Sequence, residues 1–353
     1  MTTETGISER KADHIQLCAT GDVGFHHKTT LIEHVELVHD SLPELALDEI
    51  DLSVTILGKK LRAPLIISAM TGGTARARDI NKELASIAEE RGYGFGLGSQ
   101  RAMLRGDRDD TYMVRDVAPH ALVIGNIGAV QARELSTDAV TELVGKVGAD
   151  ALAIHMNPAQ EIVQEGGDRY FAGALGAMER LAEELSVPVM AKETGCGIGP
   201  RAARRIARAK VRHLDVSGAG GTSWVAVETE RAAPAARSLG TALREWGVPT
   251  AASVIIAKKT RPRFETIVAT GGIKTGLEAA KAIAIGAHAA GIARPVLQAL
   301  VAGGRPEALR FLEGVEAELR AVMLLVGAGS VRALRKADVI LSGDLPRWAA
   351  LVV

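Results

Sequence analysis

From Pro64 onward the chain alternates between short apolar runs and longer segments with helical spacing. The runs are Leu65–Met70, Gly94–Ser99, Leu122–Gly128, Ala151–Asn157, Val187–Glu193, His213–Gly218, Thr266–Gly272 and Ala289–Ala293. They lack strict alternation, as strands buried on both faces of a parallel sheet do, and each ends in small or polar residues. Between them, Ala75–Arg91, Thr137–Val147, Ala172–Leu185, Arg201–Lys210 and Leu277–Ile285 space their apolar positions as helices do. Strand–helix alternation implies parallel βαβ units, and eight of them predict an α/β fold, the closed (β/α)8 TIM barrel. An open doubly wound sheet would need G-x-G-x-x-G after its first strand, and Met70-Thr71-Gly72-Gly73-Thr74 does not supply it. The apolar stretch within Pro249–Pro262 would make a ninth strand, so it reads as the helix before the seventh. Helical spacing resumes after Arg294 and continues through Ala308–Leu325.

Ahead of the barrel, residues 49–64 predict a hairpin whose strands join at Gly58-Lys59-Lys60. Residues 1 to about 20 are polar and hold Arg10, Lys11, Asp13 and His14; their composition alone suggests a flexible basic tail. The expected organisation is an N-terminal extension and hairpin over 1–62, a barrel over 63–343 and a C-terminal tail over 344–353. No linker marks a second domain.

Composition narrows the function. Among 353 residues, Lys plus Arg (42) balance Asp plus Glu (42), so no global field would recruit nucleic acid or an anionic membrane. An anionic ligand must be held locally. Aromatics at 3% argue against stacking platforms for single strands. Cys18 and Cys196 lie far apart, with neither disulfide nor metal spacing, and a reducing cytoplasm is expected. The stretch Met1 to Lys11 has no hydrophobic signal region, and no apolar run is long enough to predict a membrane span.

The candidate chemistry sits at the strand ends, where α/β barrels keep it. In the run from Ala151, His155 and Asn157 share one face of the extended chain, Pro158 stops it, and Gln160 and Glu161 follow. Turn chemistry explains glycines at such ends, but not Ser99, Asn126, Gln160 and Lys192 in register. Gly271-Gly272 and Ala293-Arg294 follow the seventh and eighth runs, where backbone N–H groups and a helix N-terminus can cradle a phosphate. Thr275 is placed to cap the next helix. With Lys192, Asn126 and Ser217, these loops suggest a phosphorylated ring cofactor across the barrel mouth. A strand-end lysine can stabilise negative charge on a reduced flavin.

Six motifs carry a resemblance: Arg10-Lys-Ala-Asp-His14-Ile, Ala69-Met-Thr-Gly-Gly73, Gly98-Ser-Gln-Arg101, His155-Met-Asn-Pro-Ala-Gln160-Glu161, Lys192-Glu193 and Gly218-Ala-Gly-Gly-Thr-Ser-Trp224. From Arg10 to about Gly343 the chain resembles the type 2 isopentenyl diphosphate isomerases, FMN-dependent barrels that interconvert isopentenyl and dimethylallyl diphosphate. The resemblance implies an FMN site lined by Ala69, Met70, Thr71, Gly72, Ser99, Asn126, Lys192, Ser217 and Thr222. Gly271, Gly272, Lys274, Ala293 and Arg294 would complete it. It implies that Arg10, Lys11, Ser99, Gln100, Arg101, His155, Asn157 and Gln160 hold the substrate. Arg10 and Lys11 would then cover the site instead of trailing as a tail. Glu161 would ligate Mg²⁺ at the diphosphate. Gln160, with Glu228 beyond the Gly-Gly-Thr loop, would orient the hydrocarbon end or relay a proton. The family also implies reduction of FMN by NADPH or another reductant, and a homo-oligomer, often a tetramer or octamer.

Three departures stand out. Asp13 replaces the family's usual Glu, Glu165-Gly166-Gly167-Asp168 replaces Pro-Glu-Gly-Asp, and Lys274 replaces Arg. A lysine offers a point charge where arginine offers a planar fork, so FMN affinity could differ. The rival reading is an FMN-dependent 2-hydroxy acid oxidase or dehydrogenase. Those enzymes resemble this chain around Ser217–Gly221 but place a catalytic histidine where Ala219 stands.

Overall fold

A computed structural model describes residues 4–105 and 109–352. Eight parallel strands close into a barrel: Leu65–Ile67, Gly94–Gly96, Leu122–Gly128, Ala151–Met156, Val189–Glu193, His213–Asp215, Thr266–Ala269 and Ala289–Ile292. The last pairs with the first through Ile292 and Ile67. Most strands are shorter than their apolar runs because the run's last residues leave the ladder to form the rim. Gly271 and Gly272 (φ 96° and 79°) show how: only glycine takes that conformation cheaply, and it turns the chain out of the sheet.

Strand alternation explains why the runs are apolar throughout. Ile66, Leu122, Ile124, Ala151, Ala153, Met190 and Val268 point inward and fill the lower barrel. Leu65, Ile67, Val123, Leu152 and Ile154 point outward against the helices. The hairpin (Val54–Ile56 with Lys59–Leu61) plugs the lower mouth, burying Ile56, Leu57 and Leu61 in that inner cluster. Its turn is Leu57-Gly58, not Gly58-Lys59-Lys60. Both turn residues have positive φ (51° and 82°), as a two-residue hairpin turn requires.

Ala75–Arg91 and Thr137–Val147 are helices with the predicted limits. The helix expected between Pro249 and Pro262 is Thr250–Lys259, buried on successive residues from Thr250 to Ala257. Its all-round burial is why its spacing looks strand-like. Thr275 caps the helix Gly276–Ile285 in a capping box with Glu278. The long C-terminal helix, Arg294–Leu325, breaks at Gly303-Gly304.

The N-terminal segment, whose composition alone suggests a tail, is a helix, Glu4–Thr20, and it lies across the upper mouth with Ile15 and Ala19 buried. The segment expected as a C-terminal tail contains a helix, Leu345–Ala350, docked by buried Leu345 and by Lys259, whose Nζ donates to Ala349 O (2.9 Å). Just before it, Val339–Leu341 pairs antiparallel with Val35–Leu37.

Candidate active site

The inward alternation that fills the barrel also builds the site. One step above the apolar layer, the same strand faces carry Ser68, Asn126, His155, Lys192, Asp215 and Thr270. The side-chain pattern thus changes from apolar to polar within two residues on almost every strand. Lys192 Nζ pairs with Asp215 Oδ2 at 2.7 Å, and both are buried. Asp215 Oδ1 accepts from the Ser217 N–H (3.1 Å) and from the Thr270 hydroxyl. The carboxylate therefore fixes a cation and ties two rim segments together. Ser217 itself sits at φ 34°, and its carbonyl accepts the N–H groups of Gly195 and Gly197 (3.0 Å each).

Asn126 Nδ2 donates to Leu97 O (3.0 Å), so its oxygen faces His155 Nδ1 at 2.8 Å. Burial, then the charges of Lys192 and Arg101, push His155 down to about 4, so the imidazole is neutral at physiological pH.

Above this layer lies a cavity of about 520 Å³, roofed by the N-terminal helix. Every residue expected around the cofactor lines it, from Ala69 and Met70 through Thr222 to Lys274, Ala293 and Arg294. Arg10, Lys11, Arg101, His155, Asn157, Gln160 and Glu161 line it as well. Two expected residues do not. Gln100 is fully buried beneath the wall, where its Oε1 accepts the Asn126 N–H (2.8 Å). Glu228 sits behind Gln160 inside the helix Trp224–Arg231, capped by Ser223, and does not begin that helix.

Glu228 is the centre of a second network. Its Oε1 accepts from Gln160 Nε2 (3.0 Å) and faces His14 Nε2 (2.9 Å), and its Oε2 accepts from Arg231 (3.2 Å). Burial alone would raise this carboxyl. The bonds and charges of His14, Gln160 and Arg231 outweigh it and hold it below the usual carboxylate range. Gln160 is fixed at both ends, since its Oε1 accepts from Asn157 Nδ2 (3.2 Å). Glu161 Oε1 also accepts from Asn157 (2.9 Å), and its Oε2 takes the Asp168 N–H (2.8 Å).

At the other side of the rim, Gly271 and Gly272 pack against the Gly218–Gly221 loop. A Cβ on Gly271 would lie 2.1 Å from Gly218 O, and one on Gly221 would lie 2.3 Å from Gly272 N. Thr250 Oγ1 donates to Gly271 O (2.6 Å) and holds the loop open toward the cavity. Arg294 lines the cavity and also clamps the roof. Its guanidinium donates to Cys18 O (2.9 Å) and Gly21 O (2.6 Å), the free carbonyls at the end of the roof helix.

The roof brings cations. Arg10, Lys11 and Arg101 meet at one end of the cavity, and among the described residues Arg101 pairs with Asp168 at a distant 3.7 Å. Burial, then Arg10 and Arg101, push Lys11 down to about 7. Three cations crowded at one end of a cavity make a site suited to an anionic ligand.

The donor set fits the expected groups. The Ser68 hydroxyl is buried beside the cavity and has no hydrogen-bond partner among the described residues, which fits a donor to a bound group. Lys192, the glycine loops and the Arg294 helix start would hold FMN. For Mg²⁺, no group of three His, Cys, Asp or Glu could hold a metal among the described residues. Glu161 lines the cavity, and one carboxylate is enough when phosphates supply other ligands.

Asp215, Ser68 and Tyr112 carry no motif in the sequence, and His14 lies in a motif that gives it no role. Asp215 carried one signal, a charge inside an otherwise apolar strand.

Residues 4–105 and 123–341 match the model of the FMN-dependent dehydrogenase family. An isopentenyl-diphosphate delta-isomerase of Methanothermobacter thermautotrophicus is 43% identical over 346 residues, covering 97% of this chain and 95% of that one. One from a Synechococcus species is 43% identical over 345 residues, covering 96% and 98%. Among solved structures, a mandelate oxidase mutant with a C4a-OH-FMN adduct superposes with TM-score 0.64 at 18% identity, covering 95% and 99%. A (putative) lactate oxidase of Pediococcus acidilactici gives 0.66 at 16%, covering 97% and 95%. These last two share the fold.

Proposed function

Because the chain belongs to the isopentenyl-diphosphate delta-isomerase family, within the wider FMN-dependent dehydrogenase barrels, we propose that it converts isopentenyl diphosphate to dimethylallyl diphosphate with reduced FMN and Mg²⁺. The observation that carries this reading is a cavity with two anion-accepting ends. Arg10, Lys11 and Arg101 form one, beside the loops after the first and second strands. Gly271, Gly272 and the Arg294 helix start form the other, after the seventh and eighth. One suits a substrate diphosphate and the other a cofactor phosphate.

The reaction adds a proton at the terminal alkene carbon and removes one from the allylic carbon, with no net redox change. Reduced FMN, kept so by NADPH or another reductant, supplies an electron-rich ring that can exchange a proton and stabilise nearby positive charge. Lys192, fixed by Asp215, would help hold that ring and balance negative charge on it. Glu161 would hold Mg²⁺ with the diphosphate. His155, held by Asn126 on one ring nitrogen, would offer the other to the diphosphate end.

Gln160 is held between Asn157 and Glu228, so its amide orients the hydrocarbon end of the substrate. An amide is too weak a base to act alone. Glu228, kept ionised by its donors, is the partner able to take a proton through it. The N-terminal helix would exclude water from the cavity.

The oxidase reading lacks its base. Ala219 is fully buried, and its N–H and carbonyl are bonded to Val248 O and Thr250 N. The first test is anaerobic: load the protein with FMN, reduce it, add Mg²⁺ and isopentenyl diphosphate, and assay the product. Dimethylallyl diphosphate formed only after reduction supports the reading; a reduced holoprotein that forms none sinks it. In the same assay, Q160L and E228Q are expected to lower kcat about a hundredfold or more with FMN content unchanged. Unchanged turnover would remove both from the proton route.

A further inference from the structure

Tyr112 stands behind the cavity wall, at the end of the short 3-10 turn Asp109–Tyr112, and is fully buried. Its hydroxyl donates to Ser99 O at 2.8 Å and accepts from Lys11 Nζ at 2.7 Å. Lys11 Nζ also reaches Ser99 O (3.4 Å) and lies 5.4 Å from the centre of the tyrosine ring. The ring backs the first rim loop so closely that a Cβ on Gly72 would fall 2.1 Å from its Cε1. The preceding residue is tied in as well. Thr111 Oγ1 accepts the Gly73 N–H (2.8 Å), and Asn81 Nδ2 bridges Thr71 O and Thr111 O (3.2 and 2.9 Å).

One buried segment thus touches the first rim loop, the second rim loop and the roof helix. Lys11, Ser99 and Gly72 line the cavity, and Tyr112 does not. A phenol has one proton to give. With that proton committed to the Ser99 carbonyl, the oxygen can only receive, and the donor it receives from is the Lys11 ammonium. Lysine carries its charge on a flexible four-carbon stem, so a fixed acceptor decides where the charge sits.

Resting on the reading that this end of the cavity takes the substrate's diphosphate, we propose that Tyr112 is a positioning residue for the isomerisation. Its hydroxyl aims the Lys11 ammonium and holds the Ser99 loop in the arrangement that receives the phosphates. Because the hydroxyl acts through Lys11, its loss falls on substrate capture more than on the chemical step.

The test compares FMN-loaded wild type, Y112F, K11M and the double variant with isopentenyl diphosphate after reduction. Phenylalanine keeps the ring against Gly72 and removes only the oxygen. Y112F is expected to raise KM about ten- to hundredfold, the usual worth of a hydrogen bond to a charged group, with a smaller change in kcat and normal FMN content. The basic limb of its kcat/KM profile moves to lower pH, because the ammonium has lost an acceptor. In the K11M background the same change adds little, since the two residues act as one unit.

A Y112F enzyme with wild-type KM and pH profile, beside an impaired K11M, overturns the inference. So does an equal loss in both backgrounds, or a Y112F chain that fails to fold or retain FMN, which would make the hydroxyl structural. If reduced wild type makes no dimethylallyl diphosphate at all, the diphosphate reading falls first and this inference with it, a result separable from the others.

Discussion

At the scale of single residues, Lys11 makes the sharpest commitment. Its ammonium is pushed down to about 7 by burial and by Arg10 and Arg101. A bound diphosphate adds negative charge and raises it again. Between about 7 and the raised value, binding must therefore take up a proton, and affinity falls as pH rises, by up to about tenfold per unit. The kcat/KM profile for isopentenyl diphosphate should break downward near pH 7, and K11M should lack that break. A wild-type profile flat from pH 6 to 9 would show that Lys11 does not serve the substrate. Residues like Lys11, His155 and Lys192 were legible in the sequence because each ends an apolar run or opens a motif. Asp215 and Tyr112 were not. Asp215 acquires meaning only beside Lys192 and Thr270, and Tyr112 only beside Lys11, 101 positions away. Gln100 misled for the opposite reason: it stands in the right motif but turns inward to bond the Asn126 backbone.

Among the elements, barrel strands and most helices followed from spacing, because burial on one or both faces leaves a periodic trace. The roof helix left little trace. Among its described side chains few are buried, and much of its hold on the barrel comes from polar contacts: Lys11 with Tyr112, His14 with Glu228, and Arg294 and Gln298 on the carbonyls of Cys18, Ala19 and Gly21. Such contacts have no period. Arg294 is the critical clamp, since hydrogen bonds from a charged donor are each worth ~1.5–3 kcal/mol. R294A should loosen the end of this helix, seen as faster amide exchange over residues 14–21, and should raise KM for the diphosphate while FMN stays bound. Loss of FMN with exchange unchanged would instead return Arg294 to the cofactor.

Across the whole molecule, the barrel was legible from its eightfold rhythm, but its closure by the ends of the chain was not. A three-residue strand such as Val339–Leu341 is too short to announce itself, and its partner Val35–Leu37 lies at the far end of the sequence. This junction should matter for stability. Removing residues 339–353 would uncover Val35 and take away buried Leu345, at ~3–6 kcal/mol together. For a chain of this size the melting temperature should then fall by roughly 4–8 °C, measurable by calorimetry; an unchanged melting temperature would make the junction ornamental. The roof helix carries a related consequence for biosynthesis. Its residues leave the ribosome early, yet Glu228 follows His14 by 214 positions and Arg294 follows Cys18 by 276. At about 5–20 residues per second, the helix waits on the order of tens of seconds before its last clamp exists. A polar, weakly amphipathic opening segment suits that delay: it offers little for other chains to aggregate on, and the site cannot close until the final strand is made.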